Sequence, residues 1–122
     1  MHLSGQLPYD GDAIKVTGTV GREVTLDEAK EAARLCALNV LAVVSAELGG
    51  LEGVRQVLRV TGYIACEAGF EGQPQIMDAA SAVFLDRLGE RGRHARTAVG
   101  VAALPRRAPV EIDVTLAVDV AQ

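Results

Sequence analysis

The sequence has no tryptophan, and only two phenylalanines and two tyrosines stand among its 122 residues. Its core must therefore be made of Val, Leu, Ile and Ala. The same scarcity removes the stacking platforms on which single-stranded nucleic acids are usually held. Cysteine is equally sparse. Cys36 and Cys66 make no metal-spacing motif, and each reads as a small buried hydrophobe. Positive charge is in deficit: 12 Lys and Arg against 16 Asp and Glu give a net charge of −4, which argues against a general nucleic-acid binder. No apolar run is long enough to span a bilayer and no secretory leader pattern appears, so a cytoplasmic protein without membrane contact is expected. The length is that of one domain spanning 1–122, and a small aliphatic core leaves apolar sheet surface that an oligomer could cover.

What is present is periodic. Met1 to Pro8 reads as a strand, and Tyr9-Asp10-Gly11-Asp12 as a turn. Ala13 to Val20 reads as a second, short strand with Gly18 and Gly21 loosening its ends. Thr25-Leu26-Asp27-Glu28 is a capping box, and Asp27 and Glu28 suit the positive end of a helix dipole. Leu35, Leu38, Ala42 and Ala46, with Val40, Val43 and Val44, continue a wide apolar stripe until Gly49-Gly50. This predicts a helix over Leu26–Leu48. Val54 to Cys66 alternates like a strand. Pro74 suits a first helical turn, and Ile76, Met77, Ala80, Val83, Phe84 and Leu88 recur at helical spacing up to Gly89. Met77 and Phe84 read as core.

Gly92 to Val120 reads as a β-hairpin. In its first arm Arg96, Ala98, Gly100 and Ala102 share one face, with Thr97, Val99, Val101 and Ala103 on the other. In its second arm Val110, Ile112, Val114, Leu116, Val118 and Val120 form an apolar row opposite Glu111, Asp113, Thr115, Ala117 and Asp119. Pro105 and Pro109 bracket the connection, where pairing stops. The whole order, strand–strand–helix–strand–helix–strand–strand, predicts an α+β fold with one sheet and both helices on one face.

Arg96 stands out chemically. A strand arginine is ordinarily solvated or structurally paired. Here its small neighbours leave space beside a planar cation that suits a carboxylate. Arg87, Arg91, Arg93, Arg96, Arg106 and Arg107 hold half of the Lys and Arg residues, and without interleaved aromatics they read as a solvated face. His2 and His94 make no convincing catalytic pair, and His94 reads as a rim residue.

The run His94-Ala95-Arg96-Thr97-Ala98-Val99-Gly100-Val101-Ala102-Ala103-Leu104-Pro105, followed by Val110-Glu111-Ile112, resembles the C-terminal signature of the RidA (reactive intermediate deaminase, formerly YjgF) family. Leu3-Ser4-Gly5-Gln6-Leu7-Pro8 matches a second signature, and Ala37-Leu38-Asn39-Val40-Leu41 fits the family's first helix. The resemblance covers nearly the whole sequence. It implies a chorismate mutase-like fold with a mixed sheet, assembled as a homotrimer with ligand clefts between subunits. It implies hydrolysis of 2-aminoacrylate-type enamines and imines to 2-keto acids without cofactor or metal. Arg96 falls on the arginine that grips the substrate carboxylate, and Glu111 on the glutamate that positions water. Gly5 and Ala98 would offer amides, and Ser4 a hydroxyl. Asp78 stands where the family usually carries Asn, so its charge would either weaken anion binding at Arg96 or pair with Arg87, Arg91 or Arg93. The family also carries an earlier strand with a Gly-Pro-Tyr-like motif, whose aromatic lines the pocket; the sequence contains no such motif. That departure and Asp78 favour an alternative, a non-catalytic trimeric binder of small carboxylates. An RNA-cleaving protein, as some members were described, is a further alternative that the net acidity disfavours.

Overall fold

The computed structural model describes residues 1–120. The capping box sets the first helix, α1, at Leu26–Leu48. Thr25 Oγ1 accepts from the Glu28 amide at 3.1 Å, and the Glu28 carboxylate accepts from the Thr25 amide at 2.9 Å. Gly49 closes the helix in the left-handed region at φ 72°, a conformation that costs glycine little. The buried stripe of α1 is made largely of small residues, Ala29, Ala33, Cys36 and Ala37, followed by Val40 and Val44. Small side chains let the helix lie close to the sheet, and the Cys36 thiol reaches the Val110 carbonyl at 3.6 Å. Burial pushes that thiol far above its ordinary range, so Cys36 is an unreactive core residue.

The strands are β1 (His2–Gln6), β2 (Val54–Ala65), β3 (Ala95–Val101) and β4 (Val110–Val118), and helix α2 spans Gln73–Leu88. They form one mixed sheet in the order β1-β4-β2-β3. β3 runs parallel to β2, whereas β4 is antiparallel to both β2 and β1. Both helices cover the same face. Val57, Val60 and Ile64 of β2 and Val110, Ile112, Val114 and Leu116 of β4 point into it and are fully or almost fully buried. Met77 and Phe84 of α2 join them, as the helical spacing predicts. Gly62 has a specific part in this packing: a Cβ there would collide with the Met77 sulfur, so glycine lets α2 settle onto β2.

Two expectations fail. The segment 92–120 is not a hairpin, because β2 lies between β3 and β4 and hydrogen-bonds to both. The reason is the β2–α2–β3 crossover. It returns β3 parallel to β2 on its outer side, and β4 must then pair along the other edge of β2. Residues 102–109 therefore bridge across the end of β2, with Arg106 and Arg107 both at φ 58°. Alternation along β3 and β4 describes which residues share a face, and that part holds. It carries nothing about which strands are neighbours.

The second failure is the strand over Ala13–Val20. Gly18 at φ 122° and Gly21 at φ 96° take the chain out of extended geometry, and only single bridges form, Asp10 with Ala13 and Val20 with Val24 and Cys66. Val20 still serves the sheet. Its amide donates to the Ala65 carbonyl at 2.8 Å, which ties the segment to the end of β2.

Candidate functional site

The predicted site residues fall into two groups at opposite sides of the sheet. Arg96 is in register with Val60, and Ala98 with Gly62, on the face covered by helices. Glu111 is in register with Tyr63, which also pairs with Val99, on the open face. One intervening strand, β2, and one sheet thickness therefore separate Arg96 from Glu111 within a single chain.

The first group is built on β3 and α2. Pro74, Asp78, Ser81 and Leu85 recur at helical spacing and turn one stripe of α2 toward β3. Arg96 meets that stripe. Its Nη1 donates to Asp78 Oδ1 at 2.9 Å and to Ser81 Oγ at 3.2 Å, and its Nη2 donates to the Pro74 carbonyl at 3.4 Å. The ion pair is asymmetric: the Arg96 side chain is 24% exposed and that of Asp78 is 71% exposed. Asp78 thus pairs with Arg96 itself, and not with Arg87, Arg91 or Arg93. Those arginines are dispersed, Arg87 on Asp86, Arg93 on Glu90, and Arg91 on the carbonyls of Leu51 and Val54. Ala98 lies beside Arg96 along the strand, half-buried against the core.

Ser81, which no sequence motif singles out, and His94, expected at the rim, extend this group. Ser81 Oγ lies 2.9 Å from His94 Nε2, while His94 Nδ1 lies 2.6 Å from the Gly92 carbonyl. A carbonyl only accepts, so Nδ1 carries the proton; in the neutral imidazole Nε2 then accepts from the Ser81 hydroxyl. Phe84 meets the same ring edge-on, at 5.6 Å between centroids. A cleft of about 590 Å³ opens here, lined by Ser81, Leu85, Arg93, His94 and Arg96. The α2 stripe was the signal that could have found it, since Asp78, Ser81 and Leu85 share a helix face and none belongs to the buried core.

The second group is built on β1 and β4. A Cβ on Gly5 would collide with the Glu111 carboxylate, so glycine at that position is what lets the carboxylate lie over β1. Burial and, after it, the Asp113 charge raise the Glu111 carboxyl above its ordinary value. The Tyr63 hydroxyl donates to Asp113 at 2.9 Å, and this bond keeps the phenol protonated to higher pH than usual. Ser4 is exposed, and its carbonyl accepts from the Gln6 amide side chain at 3.0 Å. The arrangement offers a proton-accepting carboxylate on an open sheet face. Among the described residues, no group of three or more His, Cys, Asp or Glu able to hold a metal occurs, and no helix is long and apolar enough to cross a membrane.

Comparison with known proteins places the chain in a family. Residues 1–112 match the family described as "YjgF/chorismate_mutase-like, putative endoribonuclease". Protein TCP17 of Trypanosoma cruzi is 41% identical over 114 residues, which is 93% of this chain and 71% of that protein. The crystal structure of Atu1372 from Agrobacterium tumefaciens, a protein of unknown function, is 47% identical with a TM-score of 0.95, over 98% of this chain and 76% of the other. RidA from an Antarctic Psychrobacter species is 27% identical with a TM-score of 0.62, over 93% and 76% of the two chains.

Proposed function

The chain belongs to the YjgF/RidA family, and on that premise we propose that it hydrolyses small enamine and imine acids of the 2-aminoacrylate type to 2-keto acids and ammonia. In this reading the protein is a homotrimer, and each cleft is completed by two subunits. Arg96 of one copy holds the substrate carboxylate, and Glu111 of its neighbour orients the attacking water.

The observation that carries the reading is the division of the site. One edge of the sheet has a carboxylate anchor without a water-orienting group. The other has a carboxylate of raised proton affinity without an anchor. A cyclic head-to-tail contact between the β3 edge of one copy and the β1 edge of the next joins the two and closes into a ring.

The chemistry asks for little more. The tautomer of the enamine is an imine. Water adds to its C2 carbon as the C=N π pair moves onto nitrogen, and Glu111 takes the released water proton. The proton passes to nitrogen, the C–N bond breaks with its electron pair on ammonia, and the hydroxyl at C2 becomes the keto group as its own proton is lost. The sum is iminium plus water giving keto acid plus ammonium. Holding the carboxylate and one water in line supplies much of the acceleration. The amides of Gly5 and Ala98 and the Ser4 hydroxyl would add donors around the bound carboxylate. A hydrolysis of this kind needs neither a metal nor a redox group. Asp78 on the Arg96 fork competes with a simple anion for the guanidinium, and in that respect it favours the second reading, a trimeric carboxylate binder without turnover. The dispersal of the arginines into separate pairs gives RNA no continuous basic track.

Subunit mixing tests the reading. Arg96→Ala and Glu111→Gln should each lose tenfold or more of the activity in keto-acid formation. Co-refolded in equal amounts, they regain about a quarter of wild-type activity, since one interface in four then joins an intact Arg96 to an intact Glu111. No recovery from trimers shown to be mixed, or a monomer mass by light scattering, refutes the shared cleft.

A further inference from the structure

We propose that Asp78 and Arg96 together form a subsite for a zwitterion, in which Arg96 takes the α-carboxylate and Asp78 takes the protonated nitrogen of a 2-amino or 2-imino acid with a short side chain. The proposal rests on Arg96 as the carboxylate anchor and specifies the charge state of the substrate.

Charge counting is the first reason. Arg96 and Asp78 are 2.9 Å apart and sum to zero. A simple anion arriving at Arg96 meets the Asp78 charge within hydrogen-bond distance and leaves the subsite negative. An α-amino or α-imino acid brings its cation on the carbon next to its carboxylate. It exchanges one ion pair for two, and the subsite stays neutral.

Mobility is the second reason. Arg96 is mostly buried and held, whereas Asp78 is mostly exposed on one turn of α2. The Asp78 carboxylate can swing to the ligand nitrogen while the guanidinium stays in place. Ser81 keeps it there. Its hydroxyl donates to His94 Nε2, whose tautomer is set by the Gly92 carbonyl, so a lone pair of Ser81 Oγ is left to accept from Arg96. Ser81 and His94 are therefore positioning residues for the anchor. Leu85, 44% exposed, lines the same cleft and offers an apolar surface to the short side chain.

The chemistry gives the arrangement a purpose. Water attacks a protonated imine much faster than a neutral one, and a carboxylate beside the nitrogen keeps the proton on it. Asp78 then selects the reactive charge state from among small carboxylates, and it disfavours the keto-acid product, which has lost the cation.

L-2-Aminobutyrate and 2-ketobutyrate test this directly, because they share a carbon skeleton and carboxylate and differ in the ammonium. The full chain, Asp78→Asn and Arg96→Ala are titrated with each ligand by calorimetry. The wild type is expected to prefer aminobutyrate by tenfold or more. Asp78→Asn should bind aminobutyrate at least tenfold more weakly and ketobutyrate several-fold more tightly, so that the preference inverts. Arg96→Ala should lose both ligands. If Arg96→Ala loses both but Asp78→Asn leaves the preference unchanged, or shifts both ligands together, the zwitterion subsite is wrong and the anchor stands. If Arg96→Ala keeps both ligands, or the wild type binds neither, the anchor itself is wrong and the subsite falls with it.

Discussion

Arg96 and Glu111 are opposites in how the protein treats a charge. The guanidinium is held by a carboxylate, a hydroxyl and a carbonyl, all from α2. The carboxylate is partly buried beside a like charge, and burial is the largest influence on it. One end of the sheet stabilises its ion in a fixed direction. The other destabilises its ion and so raises its affinity for a proton. That contrast suits a binding group and a proton-transfer group respectively. It is also what the proposed sharing of the site between subunits rests on.

The comparison can be broken most sharply at the held end. Arg96→Ala should lower ligand affinity or turnover by tenfold or more, the ~1.5–3 kcal/mol expected for charge-assisted hydrogen bonds. Stability should fall by less than about 1 kcal/mol, because the lost partner Asp78 is largely exposed. Turnover within threefold of wild type, measured by keto-acid formation, excludes Arg96 as the anchor.

At the other end, Gly5→Ala forces the Glu111 carboxylate off β1. The clash involves the far end of a flexible side chain, so thermal melting should shift little while turnover drops by roughly tenfold through misplacement of the water-orienting group. A variant that loses stability and keeps turnover would give Gly5 a packing role alone.

The smallest effect concerns pH and stability. Glu111 has its folded pKa raised above the ordinary 4.5. The stability it contributes is present below that ordinary value and is lost as pH rises through the raised value. Glu111→Gln removes the titration. The variant should therefore gain on the wild type as pH rises from 4 toward 7, by under about 1 kcal/mol because the carboxyl is still partly solvated. Denaturant midpoints at both pH values measure it, and a gain that grows on acidification contradicts the burial of Glu111.

The parts of the molecule that local chemistry controls were legible in the order of residues. Thr25, Glu28 and Gly49 bound α1 because capping bonds reach only three or four residues along the chain. Ile76, Met77, Ala80 and Phe84 revealed the buried stripe of α2 because helical periodicity is local too. Alternation assigned every side chain of β3 and β4 to its face, Arg96 and Glu111 included. Strand adjacency was not legible, since hydrogen bonding between strands depends on which backbone edge the crossover leaves free. The hairpin expected over 92–120 therefore gave way to β2. Nor could Ala13–Val20 be read as irregular, because an apolar run with two glycines fits a loose strand equally well until positive φ angles are seen. Only the tertiary structure set Asp78 and Ser81 against Arg96 and Glu111 against Gly5. Those contacts join segments far apart in the chain, and their geometry follows from how α2 packs on the sheet and how β1 pairs with β4. The residue types and their alternation were in the sequence from the start; that the row of Arg96 and the row of Glu111 lie on opposite faces, with β2 between them, follows only from the register in which β3 and β4 pair with β2.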